Sequence, residues 1–384
     1  MFENTKALCD SFLELGIPGF DLAVYHKGQC VLRHWGGVSD RKNQTPITGN
    51  ERYNLFSCSK PITCVAAMQL WEKGLFRLED KLSQYLPEYE TMTVRQPDGS
   101  VKPAQNPIRI HHLFEMTAGF NYDYRTEDFR QLHKRTYGRC PTREVARTLA
   151  QAPLEFEPGS HYLYSLAHDV LAAVVEVITG QPFRDYVKEN IFDPLGMNDS
   201  DFLLPIEDYA KVTQLYRYAA DTREVLVMDH GNVPTARLGT EHASGGAGCV
   251  STVEDYMKFL EALRVGDVIL KKETIKLMAT NRLDETQLKD FKLSSKGYGY
   301  GLGMRAGIPE NGVYDFGWSG AAGAYMSIDP KRELCVFYVQ HVLTSPVHGK
   351  RRAVVISATK DLLGEWTGKM DSQTCPDQGA VTEY

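Results

Sequence analysis

Three tetrapeptides in this 384-residue chain place a lysine three residues after a serine: Ser39 to Lys42, Ser57 to Lys60 and Ser357 to Lys360. On a helix, positions three apart share a face. A lysine there can touch the hydroxyl and help to make it a nucleophile for acyl transfer. The tetrapeptide alone is a weak signal, because a chain of this length holds one or two by chance. Context favours the middle one. Ser57 follows the short apolar approach Tyr53-Asn54-Leu55-Phe56 and opens a segment, Ile62 to Trp71, that is apolar nearly all round. Pro61 is tolerated only in the first turn of a helix, so it puts Ser57 at the helix start, where free N–H groups can meet an oxyanion. A helix apolar on every side is buried, and a buried lysine needs a partner. On helix pattern alone, a plain N-cap serine with a solvated Lys60 explains the pair equally well.

Other chemistries lack their residues. The chain has no H-E-x-x-H, no phosphate-binding Walker loop and no G-x-S-x-G elbow. Gly301-Leu302-Gly303 resembles part of a dinucleotide fingerprint, but it sits among the aromatics Tyr298 and Tyr300 in what reads as a strand. The eight cysteines, at 9, 30, 58, 64, 140, 249, 335 and 375, include no C-x-x-C pair. They are expected to be free thiols in a reducing compartment, with neither a metal site nor a disulfide framework. Net charge is −6, from 43 basic and 49 acidic residues, which argues against a nucleic-acid groove or a polybasic membrane patch. No apolar run is long enough to cross a membrane, and the start lacks a leader pattern, so a cytoplasmic location is expected.

The elements that must position these groups follow from periodicity. Phe20–Val24 and Cys30–Trp35 read as one β-hairpin; Ala324–Ile328 and Leu334–Val339, joined by Asp329-Pro330-Lys331-Arg332, read as another. Short loops imply an antiparallel sheet. A helix around Ala353–Leu363 packs on it. Between the ends, helices dominate; one carries Val170, Leu171, Val174, Val175 and Ile178 on one face and stops at Gly180. Gln96–Pro107 reads as a surface loop and the tail from Thr367 as loosely held. The result is an α+β chain in which both ends (1–80 and 240–384) form an α/β body and 81–239 is an inserted, mainly helical lobe.

Phe56-Ser57-Cys58-Ser59-Lys60 resembles the first motif of the serine β-lactamase-like superfamily, closest to class C β-lactamases and family VIII carboxylesterases. Four further segments resemble that family in order: Ile108–Phe120, Glu157–Leu166, Gly245–Tyr256 and Phe316–Gly323. The resemblance implies a β-lactamase/transpeptidase-like fold, an antiparallel sheet flanked by helices. It implies Ser57 as acyl-accepting nucleophile, Lys60 and Tyr164 as its activators, and backbone N–H groups of Ser57 and Ala321 as the oxyanion hole. Lysine and tyrosine both titrate near pH 10 when free; placed together, each favours the other's charged form. Which of them takes the serine proton is left open, since the pair titrates as a unit.

Departures narrow the chemistry. Leu166 stands where the β-lactamase second motif has an amide, and Trp318 where the third has a lysine. Neither can make the corresponding polar contact with a β-lactam. Trp318, Ser319, Gly320, Leu166, Phe120 and Tyr122 are expected to border an apolar acyl or alkyl site. His111 and His112 fall on a helix start and are not expected to be catalytic. The expectation is an esterase acting on small acyl esters, an enzyme that needs no metal or organic cofactor. Alternatives on the same site are an acyltransferase, a D-amino-acid amidase or peptidase, a weak β-lactamase, or a non-catalytic ligand-binding homologue.

Overall fold

The computed structural model describes residues 1–228 and 238–365; the tail from Thr367, with Cys375, lies outside the described residues. Eight strands form the main sheet: β1 (Gly19–His26), β2 (Gln29–Asp40), β3 (Thr45–Pro46), β4 (Tyr298–Tyr300), β5 (Arg305–Gly307), β6 (Phe316–Gly317), β7 (Tyr325–Asp329) and β8 (Leu334–Gln340). Their order is β4-β5-β6-β7-β8-β1-β2-β3, antiparallel throughout. The two hairpins read from sequence are thus neighbours, joined where β1 meets β8 with Phe20 opposite Gln340 and Val24 opposite Val336.

Side chains alternate across a strand, and here both faces are covered. Phe20, Leu22 and Val24 with Leu334, Val336 and Tyr338 pack under α1 (Glu3–Glu14) and α5 (Arg351–Leu363). The residues between them, Ala23, Cys335, Phe337 and Val339, face Tyr256 and Phe259 of α4 (Val253–Val265) in the main core. Burial on both sides explains why β1 and β8 read as nearly continuous apolar runs. Beyond α4 lie α2 (Ser59–Glu72) and α3 (Ala167–Thr179), packed on each other. Gly180 ends α3 with φ 71°, a conformation that glycine adopts without steric cost.

Two local expectations are corrected. Residues 96–107 are not all loop: Thr93–Arg95 and Val101–Pro103 pair as a hairpin around the Pro97-Asp98-Gly99 turn. Its second strand is short and exposed, so it carries no hydrophobic pattern to read. Gly301 and Gly303 lie just past β4 rather than in a strand. A Cβ on Gly303 would sit 2.1 Å from Cys64 Sγ on α2, so this glycine serves close packing and no nucleotide. The seven described cysteines are free thiols, and Cys30 alone among them is exposed. No helix among the described residues is long and apolar enough to cross a membrane.

Candidate active site

The segment entering α2 is tightly held. Tyr53–Asn54 pairs with Val250–Ser251, and Leu55 N donates to Cys249 O at 2.9 Å. Phe56 has φ 48°, a left-handed conformation that costs a non-glycine residue about 1 kcal/mol or more. It turns the chain sharply into the helical turn Phe56–Cys58 that leads into α2. The Ser59 hydroxyl locks that turn by donating to Phe56 O (2.6 Å) while accepting from Cys249 N (2.9 Å). From Tyr53 to Met68 every residue is buried except Ser57, which is half-buried. The chain thus presents one hydroxyl outward from an otherwise closed segment.

Lys60 is fully buried, which excludes the solvated-lysine reading. An ammonium carries three N–H donors. Here Nζ lies 2.9 Å from Gly246 O, 3.1 Å from Tyr122 Oη and 3.4 Å from Ser57 Oγ. It also sits 4.5 Å from the Tyr164 ring centroid and 5.4 Å from that of Tyr122, where the ring faces attract a cation. The two phenols are brought together by neighbouring backbone segments: Leu163 N donates to Met116 O (3.0 Å) and Leu166 N to Asn121 O (3.2 Å). Their rings stack at 5.6 Å and 19°. Trp318 lies against Tyr164 and Tyr300, and its indole N–H donates to Tyr164 Oη at 3.3 Å. A donor on that oxygen favours the phenolate.

The loop after β6 meets the nucleophile turn from the other side. A Cβ on Gly320 would lie 2.3 Å from the Leu55 carbonyl oxygen, so only glycine permits this approach. Ala321 and Ala322 pack against Phe56. The Arg351 guanidinium pins the loop by donating to Gly320 O (2.8 Å) and Ala324 O (2.9 Å). Behind the loop, buried Arg305 donates to Asp315 (3.2 Å) and to Met326 O (3.0 Å).

Of the residues expected at the site, Ser57, Lys60, Tyr164, Tyr122 and Trp318 come together, with Ser319, Gly320 and Ala321 on the adjoining loop. Two do not. Leu166 has no exposed surface and belongs to the main core at the head of α3. Phe120 is buried against Tyr89, with ring centroids 5.7 Å apart. Trp318 is only 7% exposed, so it holds Tyr164 as well as walling the site. His112 accepts from Arg109 N within its own helix start, and His111 pairs with Glu115. The other serines serve packing: Ser357 Oγ meets Thr5 Oγ1 at 3.0 Å between α5 and α1, and Ser39 Oγ donates to Thr45 O across β2 and β3.

Sequence reasoning missed the carbonyl of Gly246 and the buried set Asp169, His242 and Ser244 beyond it. An aspartate inside an apolar helix was the available signal. Among the described residues no cluster of His, Cys, Asp and Glu is arranged to hold a metal.

Residues 5–360 match the family model described as Beta-lactamase. Esterase EstB of Burkholderia gladioli is 30% identical over 343 residues, covering 79% of this chain and 83% of that protein. Among solved structures, EstCE1, described as a hydrolase with promiscuous acyltransferase activity, is similar with a TM-score of 0.77 at 25% identity, covering 93% of this chain and 97% of its own. The simvastatin synthase LovD of Aspergillus terreus, at 22% identity, shares the fold with a TM-score of 0.76 over 95% of each chain.

Proposed function

The chain belongs to the Beta-lactamase family, and from that premise we propose that it is a serine hydrolase of small acyl esters working through an acyl-enzyme on Ser57. The observation that carries this reading is the Lys60 ammonium, set among the Ser57 hydroxyl and the Tyr122 and Tyr164 phenols in a site walled by Trp318. In the proposed first step Ser57 Oγ bonds to the ester carbonyl carbon while its proton passes to the Lys60/Tyr164 pair. N–H groups of Ser57 and Ala321 face the oxyanion. The C–O bond to the alcohol breaks, and the alcohol leaves with that proton. Water then repeats the sequence on the acyl-enzyme and frees Ser57. Trp318 offers an apolar wall and no cation for a β-lactam carboxylate, which favours esters.

The test is turnover of p-nitrophenyl acetate and butyrate beside a chromogenic cephalosporin, with wild type and Ser57→Ala. The expected result is ester turnover that falls about 10³-fold or more in the variant, with an acyl mass on the Ser57 peptide of the wild type. Absence of turnover for any ester, or undiminished turnover in Ser57→Ala, rejects the reading. Added alcohols and amines separate hydrolysis from the acyl transfer named for EstCE1.

A further inference from the structure

Asp169, in the first turn of α3, is buried and belongs to no element of the proposed reaction. Its Oδ1 accepts the Ser244 hydroxyl at 2.7 Å, and His242 Nε2 lies 3.3 Å from the same oxygen. Its Oδ2 accepts no hydrogen bond from a described residue and points at Gly246. A Cβ on Gly246 would lie 2.6 Å from Asp169 Oδ2 and 3.4 Å from Lys60 Nζ. The carboxylate oxygen and the ammonium therefore both border the space that Gly246 leaves by lacking a Cβ, at most about 6 Å apart, while Lys60 donates to that glycine's carbonyl.

The titratable groups around this pair can be named from each element. On α2 they are Lys60 and Cys64; on α3, His168 and Asp169. Tyr122 and Tyr164 come from the loops above, and His242 from the segment before Gly246. Burial, helped by Lys60, pushes His168 down to about 3, so it is neutral. His242 Nδ1 accepts from Leu238 N at 3.3 Å. Burial alone would raise the Asp169 carboxyl. His242, the Ser244 hydroxyl and the charge of Lys60 outweigh burial and hold it below its ordinary value. The start of α3 adds its dipole in the same direction.

We infer that Asp169 is the positioning residue of the site: its carboxylate, beside Lys60 at the space left open by Gly246, sets the charge of the Lys60/Tyr164 pair without touching the reacting atoms. Direct contact would draw the ammonium away from Ser57. As placed, its N–H groups stay aimed at Ser57, Tyr122 and Gly246 O while the charges still interact. This inference rests on the acyl-enzyme reading above.

The experiment is the pH dependence of kcat/KM for p-nitrophenyl butyrate with wild type, Asp169→Asn and Ser244→Ala, each checked for fold by circular dichroism. Asp169→Asn keeps the size of the side chain and removes one negative charge, which lowers the pKa of every neighbour. Both limbs of the profile should then move to lower pH, by about 1–2 pH units for charges this close in a partly shielded interior. Ser244→Ala keeps the charge but strips its hydrogen bond, so both limbs should stay within about half a pH unit of wild type. A profile that stays in place in Asp169→Asn, or one that Ser244→Ala moves as Asp169→Asn does, overturns the inference. If Asp169→Asn does not fold, Asp169→Ser takes its place, and limbs that stay in place in that variant overturn the inference. An inactive wild type, or an active Ser57→Ala, rejects the acyl-enzyme reading itself; an active wild type and a dead Ser57→Ala with unmoved limbs overturn only the role of Asp169.

Discussion

Two buried cations, Lys60 at the site and Arg305 on β5, are built differently. Arg305 meets its carboxylate directly: its guanidinium donates to Asp315, which also accepts from Tyr298 Oη (2.6 Å) and Ser327 Oγ (2.7 Å). The rings of Tyr325 and Tyr298 lie 4.6 and 5.3 Å from its charged carbon. Burial works against the Asp315 carboxylate, and Arg305 with these hydroxyls holds it below the usual range. Lys60, by contrast, donates to Tyr122 Oη and Gly246 O, while Asp169 Oδ2 nearby accepts no hydrogen bond from a described residue. A buried cation locked onto its counter-ion is a structural clamp. One held off its counter-ion keeps its donors available for chemistry. The arginine's fixed charge and planar fork suit the first task, and the lysine's compact, titratable ammonium the second.

Exchanging the roles tests this contrast most severely. Lys60→Arg puts a larger, permanently charged group at the site, and kcat/KM for p-nitrophenyl butyrate should fall about 10³-fold while the circular dichroism spectrum stays native. Arg305→Met leaves the Asp315 charge buried without its partner. Urea unfolding should report a loss of about 3–5 kcal/mol, while kcat of the folded enzyme stays within about tenfold. A reversal of these two outcomes would refute the division between clamp and catalyst. Trp318→Phe, which joins the two sides, keeps the wall and removes the N–H on Tyr164 Oη; kcat/KM should fall about tenfold, the worth of one such hydrogen bond.

The smallest effect concerns acid. His168 lies under the lysine, with Nε2 3.5 Å from Cys64 Sγ, and burial holds it down to about 3. Between pH 6.5 and 5.5 the unfolded chain takes up a proton there that the folded chain refuses. Stability is therefore lost as pH falls, by about 1 kcal/mol for this one histidine. His168→Leu should lessen by that amount the drop in urea stability between pH 6.5 and 5.5.

Much of this architecture is legible in the residues themselves. Alternation and short polar turns mark β1, β2, β7 and β8, and the all-round apolar pattern with Pro61 marks α2 and the place of Ser57. The order of five segments brings Tyr164 and Trp318 into the same site. What stays hidden depends on orientation or on long-range approach. Leu166 holds a place in a motif, but its side chain turns into the core at the head of α3. Phe120 and Tyr122 stand two apart on one loop, and one is buried where the other reaches Lys60. Asp169 looks like a flaw in an apolar helix until Ser244 and Gly246, some 75 residues later, fold against it. Gly246 itself is one of many glycines until the two charges that border the place of its missing side chain are seen.

The free thiols give the molecule a clock. Cys30 is exposed, whereas Cys58, Cys64 and Cys249 are buried around the nucleophile turn. A thiol reagent should consume Cys30 at once and reach the other three only when that turn opens. Their slow modification, followed peptide by peptide, would time how often the catalytic helix comes loose from its surroundings. Protection by a bound acyl group would appear as a lengthening of that interval.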